Sequence, residues 1–180
     1  MAPAVEFRDL ARSELARVGE IDRTERIDSI FEQHGTELVA RPAGSNAAAW
    51  DPVGLGEHSV HAQHEALVHY ADAGGVARGA FSGERLVGIG VVVPHIRPAI
   101  AQLAYLHVSN GFRATGIGHR LCADLEEVAR RAADTEIVVT ATPSQNTVRF
   151  YTGRGFRPMA HPLPELFELE PDDVHMSRPL

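Results

Sequence analysis

Leu106-His107-Val108-Ser109-Asn110-Gly111-Phe112-Arg113-Ala114-Thr115-Gly116-Ile117-Gly118 is the stretch on which the reading turns, because the hydrophobic period changes across it. Before it, Ile100–Val108 reads as an apolar strand. After it, Ile117, Leu121, Leu125, Val128 and Ala132 recur at steps of 4, 4, 3 and 4, the stripe of an amphipathic helix. Ile137 to Thr142 is then rich in β-branched residues. Strand, helix and strand in that order form a crossover unit, so the two strands should be parallel. The glycines stand where the helix begins. There the unpaired N–H groups of the first turn and the positive end of the helix dipole can hold phosphate oxygens. Two rival glycine motifs fail. A dinucleotide fingerprint needs Gly or Ala three residues after Gly118, where Leu121 stands, and a P-loop needs a lysine, of which the chain has none. What remains is Arg113-x-x-Gly116-x-Gly118.

Working upstream, Val76–Phe81, a Ser82-Gly83 turn and Arg85–Val93 make a hairpin that continues into Ile100–Val108, an antiparallel meander. Gly88-Ile89-Gly90 lies inside a strand of that hairpin and not before a helix, which argues against a methyltransferase. Residues 58–73 predict a helix with Val60, His64, Leu67 and Ala71 on one face, ended by Gly74-Gly75. Residues 42–57 read as a long loop holding the only tryptophan, Trp50. Glu37–Arg41 is a short strand. Thr24–Gln33 predicts a helix with Ile27, Ile30 and Phe31 on one side and Gly35 as its stop. Ser13 is the expected N-cap of a helix carrying Leu15, Val18 and Ile21, and Ala4–Arg8 is a first strand. Downstream, Pro143 and Ser144 open a last helix ending near Gly155. Strands follow around Phe156–Met159 and Val174–Ser177.

With 180 residues, 44% hydrophobic and 23% charged, the chain is expected to fold as a single domain over residues 1–180. A net charge of −7 disfavours nucleic acid as a partner and suits cationic small molecules better. The lone Cys122 excludes an internal disulfide and a multi-cysteine zinc site. All 17 basic residues are arginine, which removes Schiff-base and lysine-nucleophile chemistry. Residues 1–20 carry Glu6, Asp9, Glu14 and Glu20, unlike a signal peptide, and no run approaches the roughly 18 apolar residues of a membrane helix. A soluble cytoplasmic protein without a membrane partner is expected.

A second motif follows the first at a set distance: Phe150-Tyr151-x-x-x-Gly155-Phe156. The chain closes on His175-Met176-Ser177-Arg178-Pro179-Leu180. Together these resemble the GNAT superfamily of acetyl-CoA-dependent acyltransferases, whose signature is Arg/Gln-x-x-Gly-x-Gly/Ala at a strand-to-helix junction. The resemblance is specific over residues 84–160 and follows the element order of roughly the whole chain. The first 60 residues match in outline only. It implies a mixed α/β (α+β) fold: a central, mostly antiparallel sheet splayed between two central parallel strands and flanked by helices. It implies acetyl-CoA as co-substrate and no metal. The pyrophosphate would lie on the backbone of Arg113, Ala114, Thr115, Gly116, Ile117 and Gly118. The pantetheine would lie along the strand end Leu106-His107-Val108, through backbone groups of Leu106 and Val108. Tyr151 would be the general acid that protonates the leaving thiolate.

Two departures accompany the resemblance. Ser144 stands where many members place an Asn, and Asn146 lies two residues on; either could reach the pantetheine. Gln102 stands where some members carry a Glu as general base, so the acceptor amine must lose its proton to another residue, a water chain or solvent. No Cys or Ser nucleophile is placed near the loop, which favours direct transfer of the acetyl group to an amine, on a small molecule or a peptide. The other function class is an acyl-CoA-binding regulatory module without turnover, and intact Tyr151 speaks against it. A homodimer is compatible with either.

The remaining residues with chemistry read more plainly. His107 is adjacent to the thioester position, but alternation turns its side chain opposite to Leu106 and Val108 unless a bulge intervenes. His95 follows the bend at Pro94. His58, His61 and His64 lack the spacing of a helical zinc motif and read as exposed or acceptor-lining. The cluster Asp22-Arg23-Thr24-Glu25-Arg26-Ile27-Asp28 lies where family members build the acceptor wall. Its carboxylates could hold a cationic amine or form a solvated face. Cys122 flanks the apolar stripe of its helix and reads as packing.

Overall fold

The structure, a computed structural model, describes residues 4–180. Its elements run β1 (Val5–Asp9), a 3-10 helix (Arg12–Glu20), β2 (Glu25–His34), β3 (Glu37–Ala47) and α1 (Val60–Asp72). Then come β4 (Val76–Ser82), β5 (Arg85–Arg97), β6 (Ile100–Val108), a 3-10 turn (Asn110–Phe112), α2 (Ile117–Arg131) and β7 (Glu136–Ala141). α3 (Gln145–Gly153), β8 (Arg157–Pro158), α4 (Pro164–Leu169) and β9 (Val174–Pro179) complete the chain. Seven strands form one sheet in the order β1-β4-β5-β6-β7-β9-β8, and β2 and β3 form a separate hairpin. Every neighbouring pair is antiparallel except β6 and β7. This is the mixed, mostly antiparallel sheet that the meander and the crossover predict.

The two faces of the sheet are covered by different parts of the chain. On one, the 3-10 helix and α1 bury Leu15, Val18 and Leu67 against Phe81, Leu86, Ile89 and Val91. On the other lies α2, drawn close by two glycines of β5. A Cβ on Gly88 would stand 2.9 Å from Ile117, and one on Gly90 2.7 Å from Leu125. Gly88-Ile89-Gly90 is therefore a seat for α2. Cys122 is central to the buried stripe of α2. Next to it Glu126, also buried, is paired to Arg154 at 2.9 Å, with Arg178 and Arg130 at 3.6 and 3.7 Å. No helix among the described residues is long and apolar enough to cross a membrane.

The parallel pairing positions the site. β6 and β7 share three registers only: Ile100 with Glu136, Ala101 with Ile137 and Gln102 with Val138. Beyond them, Leu103–Val108 pairs with β5 alone and Val139–Ala141 with β9 alone. The sheet opens there as a V, as the resemblance implies.

The N-terminal third departs from expectation. Thr24–Gln33 is a strand from Glu25, not a helix. The apolar positions Ile27, Ile30 and Phe31 fit either period over so short a window, and long-range pairing decides. β2 pairs along β3, and the Phe31 N–H donates to the Pro143 carbonyl at 2.8 Å. Gly35 is the hairpin turn rather than a helix stop, and β3 extends to Ala47, into the expected loop. Ser13 is not a cap: the helix is 3-10, capped at Ala11, whose N–H donates to Glu14 Oε2 at 3.0 Å. The short helix α4 was hidden among prolines and acidic residues.

Candidate active site

The mouth of the V is built from the segment that the sequence singles out. β6 ends at Val108 and the chain turns through Asn110–Phe112 into α2. Ala114 and Gly116 hold φ +59° and +90°, a left-handed conformation that Gly116 adopts without strain. The first backbone N–H to bond back into α2 is that of Arg120, to the Gly116 carbonyl at 3.0 Å. The N–H groups of Ile117, Gly118 and His119 are thus the orphans of the first turn, at the positive end of a 15-residue helix. Gly118 faces the gap: a Cβ on it would meet Phe150 of α3 at 3.3 Å and Val108 at 3.7 Å.

Arg113 does not aim its charge at this turn. Its Nε–H donates to the Val108 carbonyl at 3.1 Å and its Nη1 to the Thr24 carbonyl at 3.0 Å. Arg113 thus braces the loop, and the groups left free at the turn are backbone N–H groups. The same loop is joined to the segment ahead of β2. Asn110 N–H donates to the Asp22 carbonyl at 2.8 Å, and Asp22 N–H to Ser109 Oγ at 3.0 Å. The Asp22 carboxylate is turned onto Thr24, accepting from its N–H and hydroxyl.

Across the gap, α3 starts at Ser144, whose buried Oγ accepts from Thr147 N–H as an N-cap. Asn146 is exposed and donates to Glu25 Oε1 at 2.7 Å. Tyr151 lies in the core cluster, edge-on to Phe150 at 5.1 Å and to Phe156 at 5.4 Å. Burial, reinforced by neighbouring Cys122, raises the Tyr151 phenol well above its ordinary value, so it stays protonated at neutral pH. Burial likewise pushes the Cys122 thiol up to about 12, which suits packing and not nucleophilic attack.

The other face of β6 carries a cluster that the sequence did not reveal. A bulge at Ala104 resets the strand: Val92 pairs with Leu103 but Val91 with Tyr105. Leu106 packs towards α2, while Tyr105 packs with the α1 face. His107 follows the same alternation, opposite to Leu106 and Val108. Its ring lies 4.9 Å from that of Tyr105 and 5.4 Å from that of Trp50. The Tyr105 hydroxyl donates to Gln63 Oε1 at 2.6 Å, and the Arg23 guanidinium stacks over Trp50 at 4.6 Å. Burial first, then the charges of Arg23 and Arg113, lower the His107 imidazole to about 4, so it is neutral at pH 7. Trp50 stood out in the sequence as the lone tryptophan of a long loop; its meeting with His107 is a long-range contact that no local pattern announces.

The other singled-out residues lie apart from this cluster. His95 Nδ1 is bonded to buried Asp134 at 2.8 Å, joining the end of β5 to the α2–β7 turn. His58 is exposed beside Glu57. His61 and His64 are on α1, and among the described residues no three potential ligands gather around a metal position. Arg26 and Asp28 pair with each other in solvent.

This geometry agrees with comparisons to known proteins. A search of curated protein sequences finds no match. Solved structures of the same shape include a nourseothricin acetyltransferase, at 16% identity and TM-score 0.72 over 98% of both chains. Another is the PaiA N-acetyltransferase of Thermoplasma acidophilum in complex with coenzyme A, at 15% identity and TM-score 0.64 over 98% of this chain and 99% of that one. A GNAT family acetyltransferase of Elizabethkingia anophelis with acetyl-CoA bound aligns at 19% identity and TM-score 0.54 over 64% and 82%. At these identities the likeness establishes the fold. The family itself follows from the sequence model of the acetyltransferase (GNAT) domain, which matches residues 52–165, and so the chain belongs to the GNAT acetyltransferases.

Proposed function

We propose that the whole chain is one acyltransferase domain that carries an acetyl group from acetyl-CoA directly to an amine. The observation that carries this is the V between β6 and β7, opening onto the first turn of α2. The orphan N–H groups after Gly116 suit a pyrophosphate. The unpaired edge of Leu103–Val108 suits the amides of a pantetheine arm, which can add to it like a strand. A backbone N–H of that edge can stabilise the oxyanion formed when an amine attacks the thioester carbonyl. Ser144 and Asn146 flank the arm from α3, and the Tyr151 phenol supplies the proton for the departing thiolate. Gln102 cannot take the proton of the amine, so the amine attacks as the free base or loses its proton to water.

The test couples two measurements: calorimetric binding of acetyl-CoA, and thiol release with a panel of amines. Micromolar binding with amine-dependent thiol release supports the reading. Binding without release from any amine returns the protein to the class of acyl-CoA-binding modules.

A further inference from the structure

We propose that the acceptor amine also carries a carboxylate, which Arg23 holds beside Trp50. This rests on the acetyltransferase reading above and names its substrate class. Most half-buried arginines of this acidic chain are neutralised: Arg8 by Glu14, Arg17 by Glu20, Arg78 by Asp9 and Asp124, Arg154 by Glu126. Arg23 forms no ion pair among the described residues. One guanidinium N–H donates to the Ala48 carbonyl at 3.0 Å, and the group lies over the Trp50 ring, 4.6 Å from its centre. Asp22, next to it in sequence, is committed to Thr24, and Glu25 and Glu57 act on Arg23 only from beyond ion-pair distance. Burial is the largest influence on Arg23 and works against its charge.

A second observation is independent of the first. Trp50 is nine-tenths buried and its Nε1–H finds no acceptor. A buried donor without an acceptor and a cation without an anion thus share one ring, and an unpaired buried donor costs free energy that a ligand oxygen can return. The place is next to the chemistry. Trp50 touches His107, and His107 sits between Leu106 and Val108 on the open edge of β6. The other guanidinium bearing on His107, Arg113, spends its hydrogen bonds on carbonyls. Within a chain of net charge −7, the open edge thus has two guanidinium groups near His107 that no carboxylate pairs among the described residues. This favours an amino carboxylate, whose anionic end neutralises Arg23 while its amine faces the thioester. The planar fork of Arg23 fits a carboxylate better than a point charge would.

The experiment uses matched pairs of an amino acid and its carboxamide, across small, aromatic and basic side chains. It has two readouts: kcat/KM for acetyl transfer, and the emission of the single tryptophan with CoA bound. The free acids should be preferred by at least about tenfold and should shift the Trp50 emission saturably. Arg23→Gln should bring each pair to within about twofold while acetyl-CoA binds as before. Arg23→Lys, the variant to use should the Gln variant not fold, should retain part of the preference. Carboxamides accepted equally or better, a preference that survives in Arg23→Gln, or no emission change with any amino carboxylate would overturn the proposal. A failure of the acetyltransferase reading itself shows separately, as absent acetyl-CoA binding in the calorimeter.

Discussion

A Cβ placed on Gly118 would stand 3.3 Å from Cε2 of Phe150, so the bare α-carbon of the first turn of α2 lies against an aromatic ring of α3. Two helices that border the gap between β6 and β7 meet at this contact. Gly118→Val puts branched carbon there, and Phe150 or the helix start must move. Acetyl-CoA affinity should fall at least tenfold, about 1.4 kcal/mol, with the fold retained. Adding Phe150→Ala should recover most of the loss if the ring is what the valine displaces. Calorimetry on the single and double variants measures both steps; full affinity in a folded Gly118→Val protein would refute the placement of the cofactor.

How much of this was legible in the sequence follows from the range of each interaction. The stripe Ile117–Ala132, the Ser82-Gly83 turn and the strand–helix–strand order are local, and all were read correctly. Residues 24–33 were not, because Ile27, Ile30 and Phe31 satisfy a helical period while the deciding bonds come from β3 and Pro143. In the site, the turn from β6 into α2 was legible because glycine spacing marks it. The braced orientation of Arg113 was not, since its partners Val108 and Thr24 are brought together only by the fold. The Trp50–His107–Tyr105 cluster depends on a one-residue bulge at Ala104, which leaves no mark in composition or period.

Glu126 is 4% exposed and holds Arg154, itself 12% exposed, at 2.9 Å. Removing one member of a buried pair strands the other, at a typical cost of about 3–5 kcal/mol. Arg178 and Arg130 would lose a partner as well. Glu126→Gln keeps the shape and deletes the charge, so a loss of about 3 kcal/mol is expected in urea denaturation at pH 7. A loss under about 0.5 kcal/mol would mean that solvent screens this pair as it does surface pairs.

His107 gives the protein a defined acid response. Its ordinary value of 6.5 is lowered to about 4 by burial and then by Arg23 and Arg113. Above pH 6.5 the imidazole is neutral whether folded or unfolded and contributes nothing. As pH falls from 6.5 towards 4, the unfolded chain takes up a proton that the folded chain refuses, so stability declines through that window. At pH 5 this amounts to about 2 kcal/mol at most. His107→Gln should therefore lose less stability than the parent between pH 7.5 and 5, by about 1–2 kcal/mol in urea midpoints. Equal losses in the two proteins would show that His107 titrates as an ordinary exposed histidine.

Tyr151 poses the chemical question in its sharpest form, because its ring and its hydroxyl have different work. The ring is core: it meets Phe150 and Phe156 edge-on and is 5% exposed. No hydrogen bond contributes to holding its phenol in the protonated form; burial and Cys122 do so. Tyr151→Phe thus keeps the packing and deletes a hydroxyl that the fold does not use, and stability should change by less than about 1 kcal/mol. If the hydroxyl protonates the departing thiolate, kcat should fall about 10²-fold, the lower end for a general acid, since a thiolate leaves partly unaided. KM for acetyl-CoA should move less than about threefold, because a contact made only in the transition state appears in kcat. If instead the hydroxyl is idle, kcat stays within about a factor of two. Steady-state kinetics with any amine that proves a substrate separates the outcomes, provided chemistry limits turnover; a pre-steady-state burst of thiol release would show that it does not. A folded Tyr151→Phe enzyme with parental kcat and no burst would remove Tyr151 from the mechanism and leave proton delivery to water in the open V.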